Sequence, residues 1–332
     1  MKYDQKILVI RFSSIGDIVL ATSPLNTIRR AYPDAQITFL TLDTFSSLLE
    51  YHPDIDFLLT LSKDSSLREI WSFTNYIKDK KYHLIFDLHN SLRSKIITSL
   101  SKTTLHQIRK PRLYRFLLFT FNINRFPTDF STLKMYHESL SLIWNSEKQI
   151  PKTLLRLSKN EILQSNRVLE KNGIKENFIA LIPGAAWKQK QWRLDRYIEL
   201  ISKIDSFVVL LGSEGDKICF QIEKESKSVI NLAGKTTLRE AMAILSLANY
   251  VIGSDTGLTH AAEALGKPVS MILGPTSRET GAGVNLKESI NLEKDLWCRP
   301  CSQNGKALCY RTNQICMDSI SAKDVLQTIP QG

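Results

Sequence analysis

The stretch KILVIRFSSIGD, residues 6–17, decides the fold class. Lys6 to Phe12 is a run rich in Ile, Leu and Val. It stops at Ser13-Ser14-Ile15-Gly16-Asp17, after which apolar residues recur at helical spacing as far as Tyr32-Pro33. The segment reads as strand, tight loop, helix. The pattern returns as strand-like Gln36 to Leu42, helical Phe45 to Tyr51, strand-like Asp56 to Leu61, helical Leu67 to Lys78 and strand-like His83 to Leu88. Between about Lys102 and Lys159 the alternation becomes irregular, which predicts excursions from the first sheet and the linker. A second series follows, with strands at Phe178 to Ile182, Phe207 to Leu211, Val229 to Leu232, Tyr250 to Gly253 and Val269 to Leu273, and helices between them. Ser321 to Ile329 reads as a short capped helix. Strands alternating with helices imply parallel sheets covered on both faces. The expectation is an α/β protein of two doubly wound domains, 1–165 and 166–318, with a helix and tail at 319–332. Two such sheets with a cleft between them suit two ligands bound at the carboxyl ends of strands.

Composition supports this reading and narrows the partners. The 332 residues suit two domains of medium size, and 43% hydrophobic with 23% charged residues is ordinary globular composition. Forty-four Lys and Arg against 33 Asp and Glu give a formal charge of +11, which favours phosphates, acidic lipid or nucleic acid. The N-terminal residues show neither a long apolar region nor a small-residue cleavage site, and no apolar stretch approaches the ~18 residues of a spanning helix. Five cysteines with Cys219 isolated do not form the framework of a small secreted domain. A cytoplasmic protein with at most peripheral membrane contact is expected.

Four segments at strand ends carry the candidate chemistry. In the first, Gly16 permits a tight turn and Asp17 sits at a helix N-terminus, as a general base or simply as a helix cap. The second is Pro183-Gly184-Ala185-Ala186-Trp187-Lys188-Gln189-Lys190-Gln191-Trp192-Arg193. Its small residues let backbone N–H groups approach a ligand, and Lys190 offers a cation to a pyrophosphate or belongs to a solvated lysine run. The third, Leu211-Gly212-Ser213-Glu214-Gly215-Asp216, places a carboxylate where ribose hydroxyls are often held, although its glycines also suit a plain turn. The fourth, Gly253-Ser254-Asp255-Thr256-Gly257-Leu258-Thr259-His260, ends a strand and opens a small-residue helix whose free N–H groups suit phosphate. His260, one turn in, faces the ligand or packs on the sheet. Ala261, Ala262 and Ala264 are read as sheet-packing residues.

In order and spacing these segments resemble the heptosyltransferases, glycosyltransferase family 9, which have the GT-B fold of two Rossmann-like domains. Ser14-Ile15-Gly16-Asp17 with Pro24, Pro183-Gly184-Ala185 leading to Lys190-Gln191-Trp192, and Ser254-Asp255-Thr256-Gly257 with His260 carry the resemblance over nearly the whole chain. It implies an inverting transfer of heptose from ADP-heptose to a lipopolysaccharide core acceptor, or use of another sugar nucleotide or glycan on the same fold. The N-terminal domain would bind the acceptor and the C-terminal domain the nucleotide sugar. Asp17 would be the base and Lys190 the partner of the donor pyrophosphate. Asp255 would contact the donor sugar, Thr256, Gly257 and Leu258 would lie at the phosphates with His260 nearby, and Glu214 would reach the nucleoside. Ser14, Gly16, Arg93 and Arg112 are the candidate acceptor contacts. No cofactor is required by this chemistry, since a carboxylate, a lysine and a helix N-terminus suffice. Ala185 and Ala186 depart from relatives that carry hydroxyls there, so one phosphate contact passes to backbone or is lost.

Two features stand apart. Cys298, Cys301, Cys309 and Cys316 form a C-x2-C-x7-C-x6-C array that reads as a zinc site, as reduced thiols or as a local disulfide. From Arg93 to Lys134 there are nine Lys or Arg and one acidic residue, Asp129, interleaved with aromatics. That suits anionic lipid or a lipid-linked anionic saccharide, or else a buried aromatic helix with solvated ends. No nucleic-acid module surrounds it, so nucleic acid is not an expected partner. A nicotinamide-dependent oxidoreductase would need a G-x-G-x-x-G turn after the first strand, which residues 13–18 lack.

Overall fold

Ile7, Leu8, Val9 and Ile10 are wholly buried, because the strand they form, β1 (Lys6–Ile10), lies in the middle of a parallel sheet with both faces covered. Burial of each such side chain is worth about 1.5–3 kcal/mol. The computed structural model describes residues 5–175 and 177–330. In the first sheet β1 pairs in parallel with β2 (Gln36–Leu42) on one side and β4 (Leu84–Asp87) on the other, with β3 (Phe57–Leu61) and β5 (Thr104–Gln107) at the edges. The order is β3-β2-β1-β4-β5. The second sheet has the order β11-β10-β9-β6-β7-β8, all parallel, with β6 (Phe178–Ile182), β7 (Phe207–Leu210), β8 (Val229–Asn231), β9 (Tyr250–Ser254), β10 (Val269–Ile272) and β11 (Ile290–Leu292). Strands β6, β9 and β10 are buried at every residue, as helices on both faces require.

The chain divides into two compact units. One holds the chain to Lys110 together with Thr132–Arg156; the other holds Pro111–Ser131 and the chain from Leu157 onward. The sequence placed the boundary near residue 165, whereas the helix Lys159–Lys171 belongs wholly to the second unit. Ser158 and Glu161 form its capping box, and Glu161 reaches Arg239 of the second unit at 2.6 Å. The hydrogen bond from Arg239 leads the causes that hold the Glu161 carboxyl down at about 2. Pro111–Ser131 is held there too, by Asn122 Nδ2 donating to the Trp297 carbonyl at 3.1 Å. The residues from Ser319 onward are part of the second core through Ile320, Ala322 and Val325, and Trp192 Nε1 donates to the Ile320 carbonyl at 3.0 Å.

Local departures have local causes. The helix expected from Ile15 to Tyr32 is two, Ile15–Leu20 and Thr22–Ala31, joined at Ala21. The helix expected at Phe45–Tyr51 is a tighter 3-10 helix at Asp43–Leu49. The irregular middle contains helices Arg112–Phe121 and Thr132–Glu138 besides β5, and a helix at Leu92–Thr98 precedes it.

Candidate active site

Strand order fixes where ligands belong. In each sheet the order reverses beside a central strand, at β1/β4 in the first and β6/β9 in the second, and crevices open at the carboxyl ends there. Those ends carry Ser13–Asp17 and Leu88–Asn90 in the first unit, and Pro183–Lys190 and Asp255–Gly257 in the second. Three of the four segments were singled out in the sequence.

In the first unit Ser14 is the N-cap and Asp17 the third residue of the helix, so the carboxylate completes a capping box at the helix start and also has partners beyond it. Its Oδ2 accepts from Ser14 N–H at 3.2 Å and Ser14 Oγ at 2.9 Å. Its Oδ1 accepts from Arg11 at 2.8 Å and from the Tyr136 hydroxyl at 3.2 Å. Arg11 also donates to the Leu88 carbonyl at 2.6 Å, tying the end of β1 to the end of β4. Burial pushes the Asp17 carboxyl up, but Arg11 and the Ser14 hydrogen bonds outweigh it and the net direction is down. The group is therefore ionised at neutral pH and 37% exposed, open to accept a proton. Beside it His89 packs edge-on against Phe12 and is held to about 4 by burial and by Arg11, Lys110 and Arg93, so it is neutral in a positive neighbourhood.

In the second unit Lys190, Asp255, His260 and Thr276 converge. Lys190 Nζ lies 2.6 Å from Asp255 Oδ2, the Thr276 hydroxyl donates to the same oxygen at 3.0 Å, and His260 Nε2 stands 3.5 Å from Oδ1. Asp255 and His260 side chains are each 9% exposed. Burial pushes the Asp255 carboxyl up, yet His260 and Lys190 together carry it well below the usual carboxylate range. His260 Nδ1 is buried with no partner among the described residues. The adjoining helix Gly257–Ala264 has no side-chain cap, because the N-cap Thr256 Oγ1 pairs with Thr259 Oγ1 at 3.1 Å. Its first N–H groups and positive end remain available to an anion. Gly253 is required here, since a Cβ would stand 2.7 Å from Thr259 Oγ1. Glu214 is exposed after β7, while Asp216 turns back to Ser213 N–H at 2.7 Å.

The family model for glycosyltransferase family 9 (heptosyltransferase) matches residues 70–310. The chain belongs to glycosyltransferase family 9. It is 26% identical to lipooligosaccharide heptosyltransferase 2 of Haemophilus ducreyi over 82% of this chain and 84% of that one. It is 24% identical to lipopolysaccharide heptosyltransferase 1 of Campylobacter coli over 98% of each. Among solved structures, a family 9 glycosyl transferase from Veillonella parvula superposes with a TM-score of 0.80 at 20% identity, covering 99% of this chain and 97% of that one. The ADP-heptose heptosyltransferase II of E. coli gives 0.70 at 21% identity, with 97% of each chain covered. The fold of this family 9 glycosyltransferase is GT-B, as the motifs implied.

The sequence of this family 9 chain left several site features unseen. Arg11 hides at the end of an apolar strand, Tyr136 is remote in sequence from Asp17, and Thr276 lies in a Gly-Pro-Thr turn beyond the strand expected to end at Leu273. Lys190 is seated by the cysteine-rich segment, where a Cβ on Gly305 would come 2.7 Å from Lys190 Cγ. Trp192, read beside Lys190, is core, stacked edge-on with Tyr197. Leu258 packs partly into the core. Ala261, Ala262 and Ala264 are buried as expected. Of the acceptor candidates, Ser14, Gly16 and Arg93 stand in the first unit and Arg112 in the second. All five cysteines are free thiols, and among the described residues no three His, Cys, Asp or Glu gather to hold a metal. The zinc reading of Cys298, Cys301, Cys309 and Cys316 therefore gains nothing from the geometry.

Proposed function

We propose that this family 9 glycosyltransferase transfers heptose from ADP-heptose to a lipopolysaccharide core acceptor, with inversion and with Asp17 as general base. The observation that carries the donor half is the Lys190–Asp255–His260–Thr276 cluster beside an uncapped helix N-terminus at the β6/β9 switch point. A pyrophosphate needs a cation and convergent N–H groups, and both stand there together. Asp255, kept ionised, accepts hydroxyls of the donor sugar and orients Lys190. Glu214, in the open after β7, accepts from the ribose. The names of the relatives, lipopolysaccharide and lipooligosaccharide heptosyltransferases, support heptose and the core acceptor.

The acceptor half rests on Asp17. The acceptor hydroxyl attacks the anomeric carbon, its proton passes to the Asp17 carboxylate, and the bond from that carbon to the β-phosphate oxygen breaks to release ADP. Lys190 and the N–H groups of Gly257 and Leu258 take up the charge that builds on the leaving phosphate. Arg11, Lys110, Arg93 and neutral His89 surround the base with a positive field suited to an acceptor bearing carboxylates or phosphates. The chemistry requires no metal cofactor. A lipid-linked acceptor places the reaction at the cytoplasmic face of a membrane, and no helix among the described residues is long and apolar enough to cross one.

The test is ADP release by the purified protein, given ADP-heptose with a 3-deoxy-manno-octulosonic-acid-lipid A acceptor or its once-heptosylated form. Release that needs both substrates and falls ~10²–10⁴-fold in Asp17→Asn, with donor affinity unchanged, is the expected result. Release at the wild-type rate from Asp17→Asn would sink the assignment of the base. Binding of another sugar nucleotide in preference to ADP-heptose would move the donor assignment.

A further inference from the structure

Arg299 stands in the cysteine-rich segment of the second unit, between Cys298 and Pro300, and its side chain is 5% exposed. A guanidinium is stable in such a place only when its planar fork of N–H donors meets acceptors. Here Nε donates to the Gly274 carbonyl at 2.5 Å, Nη2 to the Thr276 carbonyl at 2.8 Å and to Glu293 Oε2 at 2.9 Å, and Nη1 to the Lys294 carbonyl. Gly274 to Thr276 form the turn just beyond β10, and Glu293 and Lys294 follow β11, so one side chain ties together the carboxyl ends of two neighbouring strands. The middle carbonyl of the turn, that of Pro275, accepts from Cys301 N–H at 3.1 Å and from Ser302 N–H at 3.3 Å. Three successive carbonyls are thus held by residues 299–302.

What the turn carries is the Thr276 hydroxyl, which donates to Asp255 Oδ2 at 3.0 Å, the same oxygen that Lys190 Nζ meets at 2.6 Å. Asp255 is buried and ionised, so its charge draws on both donors. With Thr276 withdrawn the carboxylate would lean on Lys190 alone, and the ammonium would have less to give an incoming diphosphate. Thr276 is β-branched and stiff at χ1, so the place of its hydroxyl follows the place of its backbone, and that backbone is the one Arg299 grips. We propose that Arg299 is a positioning residue of the donor site: by clamping the 274–276 turn it sets the Thr276 hydroxyl on Asp255, and so lets Lys190 meet the donor diphosphate. The proposal rests on the reading of Asp255, Lys190 and the adjoining helix as the donor site. A lysine in place of Arg299 would keep the charge beside Glu293 but not the fork, since an ammonium is a point donor and does not span the Gly274 and Thr276 carbonyls together.

The experiment is calorimetry of ADP with the full-length wild type, Arg299→Lys, Thr276→Val and the double variant, each first checked for its unfolding midpoint. Each single variant is expected to weaken ADP binding about fivefold, the scale of one hydrogen bond, and the double variant about fivefold as well, against about 25-fold for two independent losses. In turnover with ADP-heptose, Arg299→Lys raises KM for the donor and leaves KM for the acceptor unchanged, a split that a general loosening of the fold would not give. Arg299→Gln enters the same cycle where Arg299→Lys does not fold. Losses that add in the cycle, or ADP affinity of the Arg299 variant at the wild-type level, overturn the proposal and leave the donor site standing. Failure of both Arg299 variants to fold makes the residue structural and overturns it too. Wild-type protein that binds neither ADP nor ADP-heptose overturns the donor-site reading itself, and the proposal with it.

Discussion

Replacing Tyr136 by Phe removes one hydroxyl and leaves the ring that packs, fully buried, in the first unit. The hydroxyl donates to Asp17 Oδ1 at 3.2 Å, so it stabilises the ionised carboxylate. A hydrogen bond to a charged group contributes about 1.5–3 kcal/mol when well buried, but the contact is long and the Asp17 side chain is 37% exposed. About 1 kcal/mol is the appropriate magnitude, which at 1.36 kcal/mol per pKa unit is about 0.7 unit. Loss of a donor to the anion raises the carboxyl pKa. The acid limb of kcat/KM, read from ADP release over the acidic range, should therefore move to higher pH by about 0.7 unit in Tyr136→Phe. On the alkaline plateau turnover should stay within severalfold of the wild type, because the base is present and slightly stronger. An acid limb that coincides with the wild type's, while the unfolding midpoint falls, would show that Tyr136 only packs and that Asp17 is tuned without it.

Other expectations follow from the same geometry. Lys190→Met should weaken ADP binding by tenfold or more in calorimetry, at about 1.4 kcal/mol per tenfold, and should lower the unfolding midpoint because Asp255 loses its ion-pair partner in a buried site. Thr276→Val should weaken the same binding less, since Lys190 still holds Asp255 Oδ2. Burial holds His52 to about 4, below its ordinary value of 6.5, so the unfolded chain binds the proton more readily. The stability His52 supports is whole above about pH 6.5 and is lost as pH falls toward about 4. Denaturant midpoints of His52→Leu should fall less than those of the wild type across that window. Turnover in the presence of a chelator should match turnover without it, and restoration of a lost rate by a divalent cation would contradict the metal-free chemistry.

Much of the site was legible because it is contiguous in sequence. Asp17, Lys190 and Asp255 each follow a strand within a run that also carries the glycines and small residues of the turn, so a pass along the chain finds them together. The long buried strands were legible for the same kind of reason, since burial on both faces demands uninterrupted apolar runs. The edge strands β5 and β11 were not. Thr104-Leu105-His106-Gln107 and Ile290-Asn291-Leu292 are short, and partial exposure relaxes their pattern.

The sequence by itself determined two parallel α/β sheets, the strand ends that bear the chemistry, the positive charge and membership of a transferase family, because each is written in local periodicity or in a compact motif. Tertiary structure alone decided that Arg11 and Tyr136 hold Asp17, that His260 turns to Asp255 and not to the sheet, that Thr276 and Gly305 seat the Asp255–Lys190 pair, and that the basic middle of the chain is shared between two units. These are contacts between residues far apart in the chain. Their energies arise only once strand order has brought the segments together, and no spacing along the sequence encodes strand order.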